Sequence, residues 1–245
     1  MTRTTDRDDP GGRVEPGDRD VPPAAAPALG LLEFDSIAAG IAAGDAMAKR
    51  APIEVLHAGT VHPGRYLVLV GGAVADVEEA LAAGRASGAG ALLDLVFLPH
   101  VHRDVSAAIA GVRRRGTGEA LGVIETPTVA SIIDAADAGV KGARVRLLEL
   151  RLADGLGGKG YLLFDGPVAE VEAAVELGAA RIAAKAGTVH RVIPRLHAQM
   201  RQNLEAEARF NGRVRRPSRA EPEAGGGPGV AEPGTSPEAP PRSGA

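Results

Sequence analysis

The sequence predicts a tandem α/β (α+β) protein: two ferredoxin-like β-α-β-β-α-β modules with antiparallel sheets, set between disordered N- and C-terminal tails. Three observations carry that prediction. The chain repeats itself, because "ALGLLEFDSIAAGIAAGDAMAKRA" from Ala28 aligns with "ALGVIETPTVASIIDAADAGVKGA" from Ala120, an offset of 92 residues. Each copy alternates short apolar runs with alanine-rich stretches whose apolar residues recur every three or four positions. Both ends of the 245-residue chain are rich in proline and charge and hold very few large apolar side chains. Neither end can bury enough surface to offset the entropy of ordering.

Residues 1–27 form the first expected tail, and the first module spans 28–113. It opens on "ALGLLE", a buried-strand run, followed by a helix that carries Lys49. A hairpin pairs "PIEVLH" with "RYLVLV"; Val74, Val77 and Leu81 then mark one stripe of a second helix, and a last strand leads into "LPH". Residues 114–119 are a linker. The second module, 120–212, repeats the order: "ALGVIE", a helix with Val129, Ile132, Ile133, Ala136 and Val140 on one face, and the hairpin of "RVRLLELRL" and "YLLF". Its second helix shows Val168, Val171 and Val175, and a strand runs into "IPR". "GGAVADVEEALAAG" from Gly71 matches "DGPVAEVEAAVELG" from Asp165 at an offset of 94, so the second copy gains two residues in its hairpin loop. The apolar phase slips at Leu147-Leu148, which reads either as a bulge or as a change of buried face. Residues 213–245 are the second tail. This element order is that of an antiparallel sheet with helices on one face.

Composition narrows the function. There is no cysteine, which excludes disulfides and cysteine-ligated metal centres. The formal charge of −3 gives no general pull towards nucleic acid. The one basic cluster, Arg213, Arg215, Arg216 and Arg219, sits among prolines and glutamates and reads as a solvated linker. No apolar run has signal-peptide or membrane-spanning character, so the expectation is a cytoplasmic protein without membrane contact.

Three motifs invite a chemical reading. "GLGGKG", Gly155 to Gly160, fits G-x-G-x-x-G, but a phosphate cradle needs a helix directly after the glycines, and here a strand follows. His100-x-His102 resembles a metal pair; only His102 has a counterpart, His197, and no recurring carboxylate accompanies it, so a turn histidine is expected and no metal. Glu33 and Glu125 end equivalent strands, and repeat-related positions share environments too similar for an acid–base pair. They read as structural, and no catalytic residue is assigned.

The runs "DAMAKRA", "DAADAGVKGA", "GGAVADVEEALAAG", "GPVAEVEAAVELG" and "VIPRLH" together resemble bacterial microcompartment (BMC) shell proteins, in the tandem class that forms trimeric pseudohexamers. The similarity covers Ala28 to about Leu204, and "HPGRYL" with "GLGGKGY" is similar to the subtype first known from propanediol-utilisation compartments. Some members of that subtype carry an iron–sulfur cluster through cysteines, which this chain lacks, so no cofactor is expected. The resemblance implies a shell protein rather than an enzyme: a homotrimeric tile with a central metabolite pore. Its implied partners are other hexameric and pentameric shell proteins and encapsulated enzymes.

The resemblance also implies site residues. The lip of the pore falls on His62, Pro63, Gly64 and Arg65 and on Asp154, Gly155, Leu156, Gly157, Gly158 and Lys159, and its basic pair suggests a preference for anions. The edges where tiles meet fall on Lys49, Lys141, Arg195 and His100. The alternative is a tandem ferredoxin-like regulator that binds a small effector between its copies.

Overall fold

The computed structural model describes residues 27–184 and 186–206. Apart from residue 27, the two expected tails lie outside that range. The elements run β1 (Ala28–Phe34), α1 (Ile37–Arg50), β2 (Val55–Val61), β3 (Arg65–Gly72), α2 (Val74–Ser87), β4 (Leu92–Leu98) and α3 (Arg103–Ile109) in the first copy. The second copy gives β5 (Ala120–Thr126), α4 (Val129–Gly142), β6 (Arg146–Leu152), β7 (Gly160–Gly166), α5 (Val168–Arg181), β8 (Val189–Pro194) and α6 (Ala198–Ala206). The sheet orders are β2-β3-β1-β4 and β6-β7-β5-β8, with every pairing antiparallel. This is the tandem ferredoxin-like arrangement.

The slip at Leu147-Leu148 is a bulge, where the β6–β7 register shifts between Leu147 and Glu149. Successive strand residues already point to opposite sides; the extra residue leaves Leu148 and Glu149 on one side and returns Leu150 to the side of Leu147. Leu147 joins the core that also holds α4, while Leu148 packs with Leu121 and Leu163 beneath Leu196 and Leu204.

The strands alternate as their burial requires. Leu32 and Phe34 of β1 pack with Met47, Val77 and Leu81 of α1 and α2, whereas Leu29 and Leu31 face the other way and join a core shared with α4 and α5. Burying such side chains stabilises the fold by about 1.5–3 kcal/mol each. Ser36 caps α1, its Oγ accepting the Ala39 N–H at 3.3 Å.

Two helices, α3 and α6, have no clear stripe in the sequence. Both are short, and α3 is held from outside its own module: Val105 and Ala108 are buried with Leu147 and Leu150 of the second copy. Tertiary contact decides helices of this length more than local propensity does. The linker is not free either. Arg114 donates its N–H to the Leu148 carbonyl at 2.8 Å, and the Gly118 N–H reaches Asp165 Oδ2 at 2.9 Å.

Candidate functional site

A cluster of buried polar side chains lies where the two modules join. Register places Leu29, Leu31 and Glu33 of β1 beside Leu98, Val96 and Asp94 of β4, so these six form one face. The face meets α4, whose Val129 and Ile133 are fully buried, and the apolar core continues through the joint without a break.

Polar groups fix the register of this joint at three places. Glu33, fully buried, accepts the Val129 N–H through Oε2 at 2.7 Å and Arg65 through Oε1 at 2.7 Å. Burial pushes its carboxyl up, against the opposing pull of the Val129 N–H and the Arg65 guanidinium. Further along, Asp94 Oδ2 accepts the hydroxyls of Thr128 at 2.5 Å and Ser131 at 2.6 Å. At the third place Asp137 Oδ1 accepts the His102 N–H at 2.8 Å, while Lys141 donates to Asp137 Oδ2 and to the His100 carbonyl, both at 2.5 Å. A buried carboxylate needs such partners, because one left without them costs more than an ordinary hydrogen bond returns.

The two hairpin loops assigned to the lip lie side by side. Arg65 leaves the first loop and donates to the Pro127 carbonyl at 2.9 Å and to the Gly158 carbonyl at 3.2 Å, so its guanidinium spans both modules. His62 Nδ1 stands 4.0 Å from Asp154 Oδ1, both well exposed. The second loop turns on Gly155, Gly157 and Gly158, at φ of 72°, 64° and 86°, a region that side chains disfavour. Leu156 closes it, its N–H reaching the Ala153 carbonyl at 2.9 Å. The glycines thus serve a tight turn between strands β6 and β7.

The charge expected at the lip is different from what the structure holds. Lys159 pairs with Glu125 at 2.7 Å as Arg65 pairs with Glu33, so each cation is matched by a glutamate of the same repeat position. The surplus of positive charge read from the sequence is therefore absent. The sequence shows both the cations and the glutamates, but their pairing depends on β1 lying beside β3 and β5 beside β7.

Of the four residues expected at the edges, the structure brings together Lys141 and His100 and keeps Lys49 and Arg195 apart from them. Lys49 makes an exposed pair with Asp45 at 2.6 Å. Arg195 is exposed with φ of 52°, unusual for a side-chain-bearing residue, and its N–H reaches the Glu119 carbonyl at 2.8 Å. His102 caps α3 by accepting the Asp104 N–H on Nδ1 at 3.2 Å, and His197 does the same for Gln199 at 3.3 Å. Asp94, Thr128, Ser131 and Asp137 are the joint residues that sequence reasoning missed. Their one visible signal was disagreement between the copies at the first three, where the repeat offers Val189, Ser36 and Ala39.

The repeat exposes a second feature. Several side chains that close the joint have counterparts elsewhere in the chain that stand open, although Leu121, the counterpart of Leu29, is buried with Leu148 and Leu163. Ile37 and Ile41 of α1 occupy the places of Val129 and Ile133; Ile41 is 54% exposed and Ile133 0%. On the other side, Ile193 of β8 occupies the place of Leu98, at 38% exposure against 4%. Met200 of α6 stands exposed where α3 buries Val105, and Leu56 of β2 is exposed where β6 buries Leu147. Among the described residues, the first module therefore ends in an α1 face and the second in a β8 face whose apolar side chains stay exposed.

Comparison with known proteins is consistent along the repeat. A family model described as the BMC domain matches residues 28–101 and 120–196. The chain is 41% identical over 180 residues to the bacterial microcompartment shell protein PduT of Citrobacter freundii, covering 73% of this chain and 98% of the relative. It is also similar to the crystal structure of a microcompartments protein from Desulfitobacterium hafniense DCB, with TM-score 0.61 and 40% identity over 73% of this chain and 99% of that one.

Proposed function

This chain belongs to the family of bacterial microcompartment shell proteins and has a structural role in such a shell, and from that premise we propose that three copies close into a pseudohexameric tile with a central pore. The observation that carries the proposal is the pair of open counterparts. One chain holds one closed joint between α4 and the β1/β4 face, plus an unfilled α1 face and an unfilled β8 face. A second copy offers each face what it lacks. Such a contact is head-to-tail, so it repeats until a ring closes or a filament grows. The paired hairpin loops, His62 to Arg65 and Asp154 to Lys159, then line the axis, where glycine backbone leaves room for a passage. Lys49, Lys141, Arg195 and His100 supply edges towards other shell components, and no catalytic role is assigned to any residue.

The test exploits the absence of cysteine from the chain. Asp137 and His102 meet within a chain, so their counterparts Asp45 and His197 meet between chains in this reading. Asp45→Cys with His197→Cys should give covalent trimers on a non-reducing gel. Monomers alone after oxidation, with the tile reading abandoned, would favour the effector-binding regulator, which requires no second copy.

A further inference from the structure

Inside the chain, the joint is locked by a carboxylate and two hydroxyls: Asp94 with Thr128 and Ser131, all within 2.8 Å of one another. The same three places at the open faces carry different chemistry. Strand register sets the equivalence, because β4 pairs Asp94 with Glu33 of β1, and β8 pairs Val189 with Glu125 of β5. Val189 therefore stands where Asp94 does, and it is 49% exposed. On α1, Ser36 replaces Thr128, and Ala39 replaces Ser131. Ser36 is already the cap of its helix, accepting the Ala39 N–H at 3.3 Å.

The difference is one-sided in its consequences. The Asp94 face set against an α1 face would bury a carboxylate opposite Ala39, with one hydroxyl lost. The Val189 face set against an α4 face would cover the Thr128 and Ser131 hydroxyls with a side chain that can accept nothing. Asp94 keeps the Leu95 N–H on Oδ1 at 2.8 Å in either case, but both mismatches bury polar groups with fewer partners than the closed joint gives them, which costs more than the matched contact returns. The matched combinations, Asp94 with α4 and Val189 with α1, carry no such cost.

We propose that this triad is a partner-selecting lock: Asp94, Thr128 and Ser131 mark the joint within a chain, and Val189, Ser36 and Ala39 mark the joint between chains. The two kinds of joint are thereby made chemically distinct, and a second copy of this chain can enter only through its Val189 and α1 faces. The device suppresses exchanged assemblies, in which the first module of one copy would take the α1 face of another. The proposal rests on the head-to-tail reading above and adds to it the residues that set the order of modules around the ring.

The experiment moves the lock. Val189→Asp should leave the thermal midpoint of the dissociated chain unchanged, since the position is half exposed, and should raise the concentration at which the assembly dissociates roughly 100-fold. Adding Ser36→Thr and Ala39→Ser to that variant restores the threonine–serine pair, with Ala39→Ser supplying the missing hydroxyl, and should recover most of the loss. Mass photometry over a dilution series reads both. A Val189→Asp chain that assembles like the parent, or a triple variant no tighter than the single one, overturns the lock while leaving the tile intact. A parent chain that never assembles overturns the tile reading and the lock together.

Discussion

Ile41 offers a sharp test of why the α1 face stays apolar. Its counterpart Ile133 is fully buried against the first module, whereas Ile41 keeps 54% of its surface in water within one chain. Full burial of such a side chain is worth about 1.5–3 kcal/mol, so the half still exposed represents about 1 kcal/mol per joint once the methyl retained in alanine is discounted. Over the three joints of a ring this comes to about 3 kcal/mol, or roughly 150-fold in the overall association constant. Ile41→Ala should therefore weaken assembly by that factor in a sedimentation dilution series and shift the melting of the dissociated chain very little. Ile133→Ala is the control, expected to cost the fold about 2–5 kcal/mol because it opens a cavity in a closed core. If Ile41→Ala left association unchanged, or destabilised the single chain as much as Ile133→Ala does, the claim that α1 waits for a second copy would be wrong.

Other expectations follow from the same geometry. Arg114, hydrogen-bonded to Asp104 at 2.9 Å, holds that carboxyl below its usual range. A lowered pKa gives stability that is present above about pH 4 and is lost as pH falls through the folded value. Asp104→Asn should cost up to about 1 kcal/mol at neutral pH, with the gap to the parent closing in acid melts. At the lip, Glu125→Gln releases Lys159 from its partner, so three positive charges should appear near the axis and anion conductance in a planar bilayer should rise. Equal selectivity in parent and variant would mean Lys159 does not face the passage. Lys49→Asp with Lys141→Asp tests the edges. Trimers should persist while sheets seen by electron microscopy are lost, although Lys141 also braces the His100 carbonyl and should show a lower melting point.

Much of the fold was legible because each element satisfies a local rule. The valines of α2 and α5 step by three and four, and "ALGLLE" and "ALGVIE" are the right length for buried strands. The bulge at Leu147-Leu148 could be seen as a slip but not resolved, since a register shift is defined only against the partner strand β7. Helix α3 was hidden because its buried residues, Val105 and Ala108, pack on the other module. The loop pairing was half visible: the glycine and cation of each hairpin loop could be aligned, but the glutamates that neutralise the cations come from neighbouring strands. The joint itself was least legible. Attention to what the copies share passes over Asp94, Thr128 and Ser131, whose meaning lies in how the copies differ.

Native mass spectrometry of the purified chain tests the central claim most directly. The account predicts a dominant species at three times the 24.9 kDa chain mass, surviving dilution to the micromolar range. A dominant species at the mass of one chain would contradict it, because the Ile37 and Ile41 face and the Val189 and Ile193 face would then remain open to water.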